Sequence, residues 1–125
     1  MVARRKPRIL VVEDDATIAL GLETALRDAG YEVLGPVPSL ARAMEALRGE
    51  ELDAAVLDIL LGDEEVFPAA HLLDERGIPF LFLTGHGAEH LPPHLADHLC
   101  LMKPFRYELM VDMLTGLLEP GETER

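Results

Sequence analysis

Ala54-Ala55-Val56-Leu57-Asp58-Ile59-Leu60-Leu61-Gly62 is the stretch on which the fold turns. Four apolar residues run unbroken into a carboxylate. Continuous rather than alternating apolarity is the pattern of a strand buried on both faces. Three other runs have the same form. Ile9-Leu10-Val11-Val12 ends at Glu13-Asp14-Asp15, Pro79-Phe80-Leu81-Phe82-Leu83 ends at Thr84-Gly85, and Leu99-Cys100-Leu101-Met102 ends at Lys103-Pro104. Each run therefore delivers a carboxylate, a hydroxyl or an ammonium at its end.

Helical patterns separate these runs. Ile18, Leu22, Ala25 and Ala29 repeat at helical spacing over about 16–29, and Gly30 is placed to stop that helix. Leu40, Ala43, Met44 and Leu47 share a face of a helix at about 40–48, with Ser39 to cap it and Gly49 after it. A third helix is expected at about 64–76. Asp63 is its candidate cap, Glu64 and Glu65 suit its positive end, Pro68 falls in its first turn and Gly77 ends it. The last helix is expected at about 105–118. Tyr31-Glu32-Val33-Leu34 reads as a weaker strand, and Glu32 and the following Gly35-Pro36 suit a sheet edge. Between Gly85 and His98 a short helix is expected to start near Ala88 and to break at Pro92-Pro93.

Five strands alternating with helices predict an α/β fold, a doubly wound parallel sheet with helices on both faces. In such sheets the functional groups gather beyond the carboxyl ends of the strands. Glu13, Asp14, Asp58, Thr84 and Lys103 all fall there. The length of 125 residues suits one domain. At 49% hydrophobic and 27% charged residues, the composition is globular rather than disordered. No apolar run approaches the ~20 residues of a membrane span, and the basic N-terminus lacks a secretory apolar core. A cytoplasmic location is expected, and the single Cys100, which allows no internal disulfide, agrees with it. The net charge of −12 argues against nucleic-acid binding, for which a basic surface is needed. Residues 1–7 are expected to be a basic, solvated arm and residues 119–125 a polar tail.

Three carboxylates at neighbouring strand ends repel one another unless a hard divalent cation sits among them. Mg²⁺ accepts a few carboxylates, water and often a backbone carbonyl. A carboxylate beside such a cation can attack phosphorus and form an aspartyl phosphate. The transferring group then needs charge neutralisation and positioned donors, which Lys103 and Thr84 can supply.

Val11-Val12-Glu13-Asp14-Asp15, the strand-end Asp58, Leu83-Thr84-Gly85 and Lys103-Pro104-Phe105 together resemble the receiver domain of bacterial two-component response regulators, over about 8–118. The resemblance implies a flavodoxin-like five-stranded sheet in the order 2-1-3-4-5. It implies Asp58 as phospho-acceptor, Asp14 as a direct Mg²⁺ ligand, Glu13 as its acidic neighbour, and Leu60 as donor of a backbone carbonyl to the metal. Thr84 matches the switch hydroxyl and Lys103 the lysine that pairs with the phosphoryl group, with a cis bond to Pro104 typical. The implied donor is a phosphohistidine of a sensor histidine kinase or a histidine phosphotransfer protein. The implied role is signalling, with at most slow self-catalysed phosphotransfer and dephosphorylation. Because only Glu119 to Arg125 follow the last helix, a stand-alone receiver is expected, acting on a downstream protein through the 86–118 region.

Two features depart from the family's pattern. Cys100 occupies the position, three before the lysine, where an aromatic switch residue is usual. Phe82-Leu83-Thr84-Gly85-His86 is similar to a Phe-Ala-Thr-Gly motif of a proteobacterial subgroup tied to general stress signalling. Three alternatives compete. A phosphatase working through an aspartyl phosphate would want a second acid two residues after the nucleophile, where Leu60 stands. A flavin-binding module would want a glycine- and hydroxyl-rich loop in place of Glu13-Asp14-Asp15. A degenerate receiver acting as a phosphorylation-independent binding module would not need the five positions intact.

Other residues carry weaker signals. Asp15 is expected to start a helix rather than bind metal, and Cys100 to be a small buried core residue. His86, His90, His94 and His98 recur every four residues, but Pro92-Pro93 interrupts any helix that would align them, so an exposed loop is expected. On the last helix, Leu109, Met110, Val111, Met113, Leu114, Leu117 and Leu118 span an arc of about 200° at ~100° per residue. A surface helix needs only ~100°. Deep burial and a partner surface, a homodimer included, both account for the excess.

Overall fold

The computed structural model describes residues 6–49, 51–85 and 91–119. In chain order the elements are β1 (Arg8–Val12), α1 (Ala16–Asp28), β2 (Glu32–Val37), α2 (Leu40–Gly49), β3 (Ala54–Asp58), β4 (Leu60–Leu61), β5 (Glu64–Glu65), α3 (Phe67–Glu75), β6 (Phe80–Thr84), β7 (Cys100–Met102) and α4 (Tyr107–Leu118). Five strands form one parallel sheet in the order β2-β1-β3-β6-β7. Counting only these five along the chain, this is the expected 2-1-3-4-5. The two-residue strands β4 and β5 pair antiparallel in a separate small hairpin.

The unbroken apolar runs are explained by two cores, one on each face. Alternate residues of each central strand point to opposite sides. Leu10, Val12, Ala55, Leu57, Phe80 and Phe82 pack with Ala43 and Leu47 of α2 and Ala69, Ala70 and Leu73 of α3. Ile9, Val11, Ala54, Val56, Leu81 and Leu83 pack with Leu22 and Leu26 of α1 and Met110 and Leu114 of α4. The wide apolar arc of α4 is thereby resolved. Six of its seven residues join this second core, and only Leu109, 48% exposed, faces solvent.

Several expectations need correction. The helix expected from 64 begins instead at Phe67, and Asp63 does not cap it. Val66 is the N-cap, without a side-chain bond, and Pro68 sits in the first turn. The preceding Gly62-Asp63 turns the β4–β5 hairpin. Leu61 and Val66 are buried, and Glu65 and Glu64 pair with Leu60 and Leu61 in that hairpin rather than opening the helix. The edge strand β2 runs on through Gly35-Pro36 to Val37. It does so with a bulge, for Leu10 pairs with Leu34 but Val12 with Val37. Gly35 takes φ +97°, and a Cβ there would stand 2.8 Å from the Val37 nitrogen and 2.9 Å from the Val11 oxygen. Only glycine fits that bulge. Cys100 is half-buried rather than fully buried, packing against the core beside Phe82.

The 91–99 segment carries a single 3₁₀ turn at Pro93–Leu95. The helix start near Ala88 falls outside the described residues, as do His86 and His90, residues 1–5 of the arm and 120–125 of the tail. Among the described histidines, His94 is exposed and forms an edge-to-face pair with His71. His98 is half-buried, stacks on Phe80 and bonds Asp74 at 2.9 Å. The picture of an exposed histidine loop therefore holds for His94 and not for His98. No helix among the described residues is long and apolar enough to cross a membrane.

Candidate functional site

Parallel register brings the strand ends level. Val12 pairs with Leu57, Asp58 with Leu83, and Thr84 with Met102. The first polar residues after the runs must then emerge along one edge of the sheet. Backbone bonds pin two of them. The Glu13 N–H donates to the Val37 carbonyl at 3.0 Å, which the bulge at Gly35 places within reach, and the Lys103 N–H donates to the Thr84 carbonyl at 2.7 Å.

The side chains converge on a crevice of about 330 Å³ lined by Glu13, Asp14, Asp15, Asp58, Leu60, Gly62, Gly85 and Lys103. The Lys103 ammonium lies 3.0 Å from Asp58 Oδ2 and 3.1 Å from Glu13 Oε1. Its hydrogen bonds go to Asp58 Oδ2 and, at 3.3 Å, to Glu13 Oε2. Glu13 Oε1 is close to the ammonium but off its bonding directions, and is left buried without a hydrogen bond. Asp58 Oδ1 accepts from the Leu60 N–H at 3.3 Å. Thr84 is buried at the end of β6, one residue before Gly85, which lines the crevice. The Lys103–Pro104 peptide is cis.

Two details add to the sequence reading. Asp15 is the N-cap of α1, its Oδ1 accepting from Thr17 and Ile18 N–H groups at 2.9 and 3.1 Å. Its own N–H donates to Glu13 Oε2 at 3.1 Å, so the cap also orients the acidic pair. Gly62 was not legible as a site residue. At φ +64° it turns the hairpin, and its N–H donates to Asp14 Oδ2 at 2.8 Å, tying the β1–α1 loop to the segment after Asp58. The available signal was Gly62-Asp63 between two apolar and two acidic residues, a two-residue hairpin turn.

Burial first, then the neighbouring Asp58 carboxylate, which can accept a hydrogen bond from a protonated Glu13 and repels an ionised one, push the Glu13 carboxyl up to about 7, against the Asp15 N–H and Lys103, which act the other way. Burial alone would lower Lys103, but its bonds to Asp58 and Glu13 outweigh this and raise it above its ordinary value. One ammonium therefore serves a crevice with an excess of carboxylate.

That excess suits a divalent cation. Glu13, Asp14 and Asp58 each offer a carboxylate oxygen, all within 4.8 Å of one another. Hard oxygen donors, mixed exposure and a buried oxygen without a hydrogen bond match what Mg²⁺ accepts. The residue two after Asp58 is Leu60, 47% exposed. It offers no acid or base to a hydrolytic cycle.

Comparison with known proteins places this site in a family. The family model described as "Response regulator receiver domain" matches residues 9–115. The chain belongs to the response regulator receiver domain family. Receiver domains of this family are signalling modules of two-component systems rather than conventional enzymes. The transcriptional regulatory protein TcrA of Mycobacterium tuberculosis is 32% identical across 94% of this chain and 48% of its own length. The chain spans between a third and about half of the length of the curated relatives it matches. The solution structure of SdrG from Sphingomonas melonis is similar with a TM-score of 0.79 at 34% identity, over 93% of this chain and 99% of that one. A CheY-like receiver domain protein from Methanospirillum hungatei is similar with a TM-score of 0.81 at 25% identity, over 96% and 99% of the two chains. The receiver architecture thus extends over nearly the whole chain.

Proposed function

We propose that this receiver domain takes a phosphoryl group on Asp58 from a phosphohistidine of a sensor histidine kinase or histidine phosphotransfer protein. The observation that carries the reading is the placement of Lys103, 3.0 Å from Asp58 and 3.1 Å from Glu13 in a crevice that Asp14 also enters. A carboxylate oxygen of Asp58 forms the new bond to phosphorus as the phosphorus–nitrogen bond of the donor breaks. The electron pair leaves with the imidazole, which takes up a proton. Lys103 is already paired with Asp58 and stays to neutralise the incoming phosphoryl oxygens, so little reorganisation is needed as charge shifts. The Leu60 N–H holds the other carboxylate oxygen and limits rotation of the acceptor.

Glu13, Asp14, Asp58 and the Leu60 carbonyl are the groups that would hold Mg²⁺. When bound, the cation supplies charge neutralisation at the phosphoryl oxygens. Leu60 beside the acceptor speaks against a phosphatase. The occupied roles at Glu13, Asp14, Asp58, Thr84 and Lys103 speak against a degenerate receiver.

Thr84 is the switch hydroxyl in this reading. It sits on β6, paired with Met102 of β7, two residues beyond Cys100. Without an aromatic at Cys100, the change at Thr84 passes through β7 and the 86–118 region to a downstream protein. Met102, Leu109 and Leu99, exposed by 55, 48 and 41%, support a protein-binding surface there. A homodimer through α4 would have Leu109 as its apolar contact. Phe82-Leu83-Thr84-Gly85 supports membership of the stress-signalling subgroup, in the cytoplasm. The test is incubation with acetyl phosphate and Mg²⁺ followed by intact mass. One added phosphoryl group is expected, absent with a chelator. A label that persists in Asp58→Asn would sink the assignment.

A further inference from the structure

Lys103 pairs with both Asp58 and Glu13, so its placement depends on what holds the segment that follows it. The Lys103 N–H is bonded to Thr84. Beyond that, no side-chain hydrogen bond among the described residues caps the entry to α4. Arg106 is the N-cap, and its side chain makes no capping bond. Its guanidinium lies 4.0 Å from Glu108, with both side chains at least 80% exposed, a pair that contributes little.

The anchor is apolar. Phe105 and Tyr107 meet edge to face with centroids 5.3 Å apart, and both are half-buried against the α1–α4 core. The Tyr107 ring lies over Gly21, in the middle of α1. A Cβ at Gly21 would stand 2.8 Å from Tyr107 Cε1 and closer still to Cζ and the hydroxyl oxygen. No real Cβ makes such contacts, so the ring occupies the place where any other residue of α1 would have a side chain. Glycine within a helix costs about 1 kcal/mol relative to alanine. Here that cost coincides with a notch shaped to the ring. Ile18 of α1, Lys103, Pro104, Phe105 and Tyr107 line one cleft, so the ring and the lysine loop share its walls, and only Pro104, Phe105 and Arg106 separate Lys103 from Tyr107 along the chain.

We propose that Tyr107, seated in the notch left by Gly21, is a positioning residue for Lys103, setting where its ammonium stands against Asp58 and Glu13. Asp15 caps α1 and its N–H holds Glu13, so one helix references both the acidic pair and the lysine loop. The catalytic consequence rests on the reading of Asp58 as phospho-acceptor. The placement of the ammonium does not, and the experiment separates the two.

Two measurements are made on Gly21→Ala, Tyr107→Ala and Tyr107→Phe, with folding checked by thermal melting. The first is the initial rate of phosphoryl uptake from acetyl phosphate with Mg²⁺. Misplacement of a charged group by about an ångström costs one to two orders of magnitude in rate, so roughly tenfold losses are expected in Gly21→Ala and Tyr107→Ala. Tyr107→Phe, which keeps the ring, should stay within about twofold of the wild type on the same reasoning. In a Lys103→Met background, adding Gly21→Ala should change the rate no further.

The second measurement uses the fact that Lys6 and Lys103 are the only lysines in the chain. Brief acetic anhydride labelling, read by peptide mass, reports access to Lys103 with Lys6 as internal reference. The Lys103-to-Lys6 ratio should rise several-fold in Gly21→Ala and Tyr107→Ala and stay put in Tyr107→Phe. An unchanged ratio in both ring-displacing variants overturns the proposal. So does a Gly21→Ala rate loss that multiplies on top of Lys103→Met. If Gly21→Ala fails to fold, Tyr107→Ala decides. If the wild type takes no phosphoryl group, the acceptor reading fails and the labelling ratio still decides this one.

Discussion

The buried Glu13 makes a prediction that can be worked through in numbers. Its carboxyl ionises at 4.5 in an ordinary setting and at about 7 in the folded protein. A group that binds its proton more tightly when folded stabilises the fold at low pH. That contribution is complete below 4.5 and is lost as pH rises through about 7. The gap is worth on the order of 3 kcal/mol at ~1.4 kcal/mol per pH unit. In a domain of this size that is a fall of roughly 10 °C in melting temperature. Glu13→Gln keeps the shape and hydrogen bonding without the titration. Melting is followed from pH 4.5 to 7.5 in a chelator for both proteins. The wild type should lose stability relative to Glu13→Gln across that window, and saturating Mg²⁺, which favours the ionised carboxylate, should flatten the difference. Parallel curves in the chelator would refute the burial argument, and a difference of opposite sign would reverse it.

Other variants probe the supports of the site. Gly35→Ala forces a Cβ onto the Val37 nitrogen and Val11 oxygen at positive φ, and should cost about 2–3 kcal/mol in denaturant melts. It should also weaken Mg²⁺ binding, because the Glu13 backbone is held by that bulge. Lys103→Met leaves Glu13 and Asp58 without their cation and should lower the melting temperature in a chelator, with most of the loss recovered by Mg²⁺. Leu73→Ala, far from the crevice but fully buried, should cost about 2–5 kcal/mol while leaving the phosphorylation rate of the folded protein unchanged.

The sheet was legible because its central strands are buried on both faces. Ile9–Val12, Ala54–Leu57 and Phe80–Leu83 have no polar residue to confuse strand with loop, and each ends at a residue with chemistry. Level register then carries Glu13, Asp14, Asp58 and Lys103 to one crevice without further information. The parts misread are those where local signals conflict with packing. Asp63-Glu64-Glu65 carries the composition of a helix start. The burial of Leu61 and Val66 made a hairpin cheaper, and with it came the Gly62 bond to Asp14. Gly35-Pro36 looks like the end of a strand, yet the bulge carries β2 on to Val37 and so to Glu13. The notch at Gly21 had no signal at all, since it depends on Tyr107 arriving from the far end of the chain.

The central claim is that Asp58 is the residue phosphorylated, and the most direct measurement is to map the phosphoryl group on the intact chain. After brief exposure to acetyl phosphate and Mg²⁺, fragmentation mass spectrometry should place a single phosphoryl group on Asp58, with none on Glu13, Asp14 or any histidine. A group found on another residue, or an unmodified wild-type chain at saturating donor and Mg²⁺, would contradict the account.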